Sequence, residues 1–389
     1  FLPWWAVALL VSAALVLSGA LPWADAGELA ARVGPVLVFV AALTVVAELC
    51  ASAGLFDVAT DAAARAAGGH RWAVWLLLVT IAVVCTVLLS LDTTAVLLTP
   101  LAITLARRTG SSPLLFALTV VALANTASLL LPVSNLTNLL ADHRFAAQDA
   151  DYLGLMWAPA LAAVVVTVVV LAVRGRTGLR GRFTAPSRYV PPDRTLVLVT
   201  GVTVAVMAAG FVAGLPVWAV ALGAAAVLLI GFAVRRRPLP GPTGASLRAR
   251  AVAMVPWQML LVVAGLFVVV ETLHVRGLGD LLVAAAPSGD GTGALLGVAG
   301  IAAGTANLIN NLPAYLVLEP VAGDDVRRLA AVLIGTGVGP LLTPWASLAT
   351  LLWWQRCRQA MVHVPGRALI AQGAWLAPLC VVAAVLALG

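Results

Sequence analysis

Polar positions are so sparse along most of this chain that apolar blocks, each about as long as a bilayer crossing, are divided only by short charged stretches. The blocks predict membrane helices over Pro3–Leu21, Pro35–Gly54, Tyr152–Val173, Leu196–Ala213, Pro216–Val234, Met254–Leu273 and Ala368–Leu388. A short loop carrying Asp25, Glu28 and Arg32 is expected between the first two. Leu55–Gly69 is different, because Asp57, Asp61 and Arg65 gather on one side of it, and it is expected to lie along the membrane interface.

Elsewhere polar residues fall inside apolar blocks. Trp72–Leu91 is followed by LDTTA (Leu91–Ala95) and by a second apolar arm, short for a span, that ends at Arg107 and Arg108. This predicts a re-entrant hairpin with Asp92 at its tip. The helix entering at Pro113 is interrupted by LPVSNLTNLL (Leu131–Leu140) and is expected to resume after Asn138, ahead of a polar loop, Asp142–Asp151. Non-helical backbone at membrane depth persists only where protein or a water-filled cavity satisfies its polar groups, so this break reads as a solute site.

The pattern occurs twice. Placing Glu48 on Glu271 brings Gly54 onto Gly277 and Asp57 onto Asp280. The apolar run up to Ile309 is interrupted by NNLPA (Asn310–Ala314), with Asn311 in the place of Asp92. A second broken helix, Ala330–Trp354, contains TPWASLATLL (Thr343–Leu352), in which Pro344 falls on Pro132, Ser347 on Asn135 and Thr350 on Asn138. LPWWAVAL (Leu2–Leu9) also matches LPVWAVAL (Leu215–Leu222). The second half has one more span ahead of that match, so a further helix upstream of Phe1 is expected. The fold expected is an all-α polytopic membrane protein with two inverted-topology repeats, each holding a re-entrant hairpin and a broken transmembrane helix. Residues 1–174 form the first repeat, 175–194 a basic linker and 195–389 the second repeat.

Composition agrees with this pattern: 62% of residues are hydrophobic and 10% charged, against about 25% charged in soluble domains. The 389 residues allow ten or eleven crossings besides the hairpins. All 23 basic residues are arginine, and the net charge of +7 is informative by position. With the linker Arg174–Arg194 in the cytoplasm, eighteen arginines fall on that side, those of a second basic linker (Arg235–Arg250) among them, and Arg32, Arg144, Arg276, Arg327 and Arg328 on the other. The two hairpins then open to opposite faces. Nucleic acid is not an expected partner. Cys50, Cys85, Cys357 and Cys380 stand apart, and His70, His143, His274 and His363 are in predicted loops, so no metal site or cofactor is expected.

The tips and breaks are expected to meet near the bilayer midplane. Their lining would be Asp92, Thr93 and Thr94 from one tip, Asn310 and Asn311 from the other, and Ser134, Asn135, Thr137, Asn138, Thr343, Ser347 and Thr350 from the breaks. One carboxylate and no arginine stand among hydroxyls and amides, which suits a small neutral polyhydroxyl solute and not a multivalent anion. Asp92 reads as a group that binds and releases a proton or holds Na+, the alternative being a cap on the following half-helix. For the amides and hydroxyls the alternative is hydrogen bonding between helices. Glu48 and Glu271, near their helix ends, read as polar contacts to the interfacial helices, with proton relay as the functional alternative.

LDTTAVLLTP, NTASLLLPVSNLTNLL, NNLPA and GPLLTPWASLATLLW resemble the arsenical-pump membrane protein family (ArsB type) of the ion transporter superfamily, over essentially the whole chain. The second break departs from the family pattern GPxLTPxGSLATLLW at Ala346, where a glycine is usual. The resemblance implies an inner-membrane transporter of bacteria and not an enzyme. It would export arsenite or antimonite by exchange for protons, or with a separate ATPase subunit. Arsenite at neutral pH is mainly an uncharged trihydroxide, in keeping with the lining. The rival functions within the superfamily are a Na+/H+ antiporter of the NhaD type and a carboxylate or other anion transporter.

Overall fold

The computed structural model describes residues 3–184, 188–240, 247–289 and 291–389. Phe1, Leu2 of the LPWWAVAL match, Pro186 of the first linker and residues 241–246 of the second lie outside the described residues. In chain order the first helices are α1 (Trp4–Leu17), α2 (Trp23–Ala53), α3 (Leu55–Ala66), α4 (Arg71–Leu89) and α5 (Leu91–Thr93). A π-helical turn, Thr94–Leu98, joins α5 to α6 (Thr99–Arg108). Next come α7 (Pro113–Thr126), α8 (Leu136–Ala147), α9 (Tyr152–Gly175), α10 (Arg194–Val212), α11 (Val217–Val234), α12 (Leu247–Ala253) and α13 (Trp257–Val275). The remainder are α14 (Leu278–Ala285), α15 (Thr292–Ile309), α16 (Asn311–Leu318), α17 (Val326–Val338), α18 (Leu348–Gln359) and α19 (Gly366–Leu386).

Among the described residues, 8 helices are long and apolar enough to cross a membrane, fewer than the ten or eleven that length alone allowed. The eight include the first arms of both hairpins, α4 and α15, whereas the first expected span, Pro3–Leu21, forms only the shorter α1, and the broken helices α7 and α17 stop short of a crossing. The loop expected around Asp25, Glu28 and Arg32 is helical instead, since α2 starts at Trp23 and runs through Pro35. Three- and four-residue spacing suits these charges to one helix face, and Arg32 Nη2 donates to Glu271 Oε2 at 2.9 Å. Glu271 therefore pairs with α2, not with an interfacial helix. The amphipathic segment forms α3 as expected, with Arg65 paired to Asp61 one turn away. Burial holds the Asp57 carboxyl above its ordinary range, against the pull of Arg108.

The chain divides into two compact units, each taking a segment from both halves of the sequence. The first comprises Phe1–Leu55 and Pro192–Ala285. In it α1 packs on α13, α2 on α11, and α10 on α11. Asp193 caps α10 through Leu196 N and also accepts from Arg235 Nε at 2.9 Å, contacts that hold its carboxyl below the usual range.

The second unit comprises Phe56–Pro191 and Ala286–Gly389. It contains both interrupted hairpins, both broken helices, α9 and α19. Its closest helix contact is α17 on α15. A Cβ at Gly335 would fall on Ala299 O, and one at Gly339 on Ala303. Glycine at this four-residue spacing lets two membrane helices touch along their backbones. On the other side Trp75 Nε1 of α4 donates to Thr119 Oγ1 of α7 at 2.9 Å.

Candidate solute-binding site

Two apolar helices, α4 and α15, stop abruptly at a residue held in an unusual backbone conformation. Ser90 has φ 86° and ψ 159°, and Asn310 has φ 87° and ψ 153°. Side chains rarely adopt this region, and holding one there costs of order 1–3 kcal/mol. At each position the side chain caps the helix that follows: Ser90 Oγ accepts from Thr93 N, and Asn310 Oδ1 from Leu312 N. The geometry thus matches Ser90 with Asn310. That shifts the expected register by one, so Asp92 corresponds to Leu312 and not to Asn311. Asp92 lies two residues past Ser90, in the first turn of α5. Its Oδ1 is buried and without a hydrogen-bonding partner, and nearby Thr94 Oγ1 is 3.2 Å from Thr86 Oγ1.

The breaks follow the same logic. α7 loosens into single 3-10 turns at Ala127–Leu129 and Pro132–Ser134, then passes through extended Asn135, φ −147° and ψ 140°, into α8. α18 begins after an equally extended Ser347, φ −141° and ψ 151°. The alignment of Asn135 with Ser347 therefore holds in the backbone, and α8 resumes at Leu136, earlier than expected. Each residue is an N-cap: Asn135 Oδ1 accepts from Thr137 N at 3.3 Å, and Ser347 Oγ from Thr350 N at 3.1 Å. Ser347 Oγ is also 2.8 Å from Thr350 Oγ1.

The structure ties each break to the hairpin of its own half. The last carbonyls of a helix have no partner within it, and both breaks use one. Val87 O, in the last turn of α4, accepts from Ser134 Oγ at 2.9 Å. Asn307 O, in the last turn of α15, accepts from Thr343 Oγ1 and from Trp345 Nε1, each at 2.9 Å. Asn307 does more, since its Nδ2 donates to Gly339 O at 2.8 Å and its Oδ1 accepts from Leu342 N and Thr343 N. Asn310 Nδ2 donates to Trp345 O, and Asn311 N to Ala346 O. In the first break Asn138 Nδ2 donates to Ser128 O at 2.7 Å.

Each half-helix leaving a break then packs against the other hairpin, α18 on α5 and the π-helical turn, and α8 on α16. All twelve tip and break residues expected from the sequence accordingly belong to this unit. Ser134, Thr137, Asn138, Ser347 and Thr350 are fully or almost fully buried. Glu48 and Glu271 belong to the other unit. Ser90, Asn125, Asn307 and Trp345 are not among the residues that the sequence pattern singles out. An asparagine about one helical turn before an interruption, Asn307 before Asn310 and Asn125 before Leu129, is the signal that would have drawn attention to two of them.

The family model described as citrate transporter, CitMHS, matches residues 2–350. The chain is 28% identical over 333 residues to an arsenical pump membrane protein of Escherichia coli, covering 80% of this chain and 76% of that protein. The corresponding protein of strain K12 is 29% identical over the same coverage. In fold, the chain is similar to the crystal structure of the Alcanivorax borkumensis YdaH transporter, with a TM-score of 0.61 at 18% identity over 95% of this chain and 89% of that one. With its apolar helices interrupted at matched positions, this multi-pass protein is a membrane transporter and belongs to the citrate transporter (CitMHS) family.

Proposed function

We propose that the protein exports arsenite or antimonite, as the undissociated trihydroxide, from the cytoplasm in exchange for protons. The observation that carries this reading is the chemistry of the two tips and breaks: amides, hydroxyls and a single carboxylate, with every described arginine of the unit at or beyond a helix end. A polyanion such as citrate needs opposite charge to offset its desolvation. The trihydroxide needs only donors and acceptors. The names of the Escherichia coli relatives support the substrate, while the family description keeps a carboxylate in play as the rival.

In this reading the two sequence halves are inverted repeats, the basic linkers face the cytoplasm of a bacterial inner membrane, and Asp92 carries the proton. A lone carboxylate among apolar helices binds a proton or a cation in place of bare burial. Ser134, Asn135, Thr137 and Asn138, with Asn310, Asn311, Thr343, Ser347 and Thr350, form and hold the solute pocket, and Thr93 and Thr94 flank the coupling group.

Everted membrane vesicles with an imposed inward-acid gradient test it. Arsenite should accumulate without added Na+, and collapsing the gradient should release it. Citrate uptake, or dissipation of the gradient by Na+ with no arsenite uptake, would transfer the assignment to the carboxylate or the Na+/H+ alternative. Uptake that requires ATP would point to a separate ATPase subunit.

A further inference from the structure

Asn125 is fully buried in the last turn of α7. Its Nδ2 donates to Val121 O at 2.9 Å. That carbonyl can only accept, so the orientation of the amide is fixed, and Oδ1 is left buried with no partner. A buried acceptor without a donor is costly, and native chains retain few of them.

The surroundings of α7 indicate what Asn125 faces. It continues the stripe of Leu118 and Val121, which packs in one cluster with Leu91 and Ala95 of the first hairpin and Ala349 and Trp353 of α18. Arg107, just ahead of α7, donates to Ala360 O beyond the far end of α18, and Trp353 Nε1 donates to Ala117 O. The two helices are therefore antiparallel. At 1.5 Å per residue, Asn125 lies about 12 Å past Ala117, and Ser347 about 9 Å past Trp353 in the same direction. Asn125 thus stands level with the second break. The matching position in the other half, under the register that pairs Asn135 with Ser347, is Gly337. A Cβ placed there would lie 4.0 Å from Asn135 Nδ2, itself a buried atom without a partner. In both halves, then, the position one turn before a break faces the opposite break, but only one of the two carries a side chain that can bind.

We propose that Asn125 Oδ1 is the acceptor for a hydroxyl of the transported trihydroxide, which makes Asn125 a specificity-determining residue of the site. This rests on the export reading above. A fixed carbonyl acceptor admits solutes that present an O–H, and repels a deprotonated carboxylate or a halide. Asn135 Nδ2 supplies the complementary donor to a solute oxygen. With glycine at 337, the grip on the solute is one-sided.

Arsenite uptake by vesicles carrying the full chain tests this, with thermal unfolding measured on each variant. Asn125→Leu and the smaller Asn125→Ala should raise KM roughly tenfold while leaving the maximal rate near that of the parent. Asn125→Ser, whose hydroxyl can donate to Val121 O and still accept, should restore most of the affinity. An unchanged KM in whichever of the first two variants folds overturns the assignment to Asn125 and leaves the export reading standing. No arsenite or antimonite uptake by the parent overturns both.

Discussion

In the second hairpin–break pair, Asn307 commits every hydrogen-bonding atom it has to the chain around it: Nδ2 to Gly339 O, Oδ1 to two backbone N–H groups, its own carbonyl to Thr343 and Trp345. Three residues before the other tip stands Val87, which offers only a carbonyl, to Ser134. The first pair differs again in what it leaves unused. Asp92 Oδ1, Asn125 Oδ1 and Asn135 Nδ2 are all buried without partners, while Ser347 and Thr350 are bonded to each other. The same backbone device is thus built twice, closed on itself in one copy and left with unpaired buried polar atoms in the other. A duplicated architecture need not duplicate its chemistry: one copy can hold the shape so that the other can bind.

The most drastic way to probe the difference is Asp92→Asn, which keeps the shape and removes the titrating group. Gradient-driven arsenite uptake should fall to background, while downhill exchange of arsenite across the same vesicles continues; full retention of driven uptake would remove Asp92 from coupling. Next in size is the latch. Asn307→Ala leaves several buried backbone groups unsatisfied and should destabilise the protein by about 2–4 kcal/mol, whereas Val87→Ala should cost under about 1.5 kcal/mol. Thermal midpoints in one detergent compare them, and equal losses would mean that both breaks are held alike. The smallest effect is expected at the tips. Ser90→Gly relieves the left-handed backbone at the loss of a long cap, 3.4 Å, and of a hydroxyl bond to Thr93 Oγ1, so its stability should change by less than about 1 kcal/mol. Asn310→Gly also loses the bond to Trp345 O and should be the less stable of the two; the reverse order would contradict the latch.

The breaks were legible because their chemistry is local. Pro132 and Pro344 with Asn135 and Ser347 downstream are stop and restart signals that can be read without knowing any partner. The tips were less so. Charge is conspicuous in an apolar run and points to Asp92 as the turn, yet the chain turns at Ser90, where no glycine marks the positive φ. Asn307 was invisible as a latch since most of its partners lie 32 to 38 residues along the chain. Arg32 of α2 pairs with Glu271, from the other half of the sequence. Long-range partners of this kind leave no mark on local hydropathy.

The interleaving of the two compact units bears on biogenesis. After residues 1–55 have left the ribosome, the whole of 56–191 is made before the remainder of their own unit begins to emerge at Pro192. At usual elongation rates that is on the order of ten seconds. During this interval α1 and α2 sit in the translocon or lipid without α11 and α13, so the nascent protein offers chaperones and quality-control proteases an orphaned pair of apolar helices.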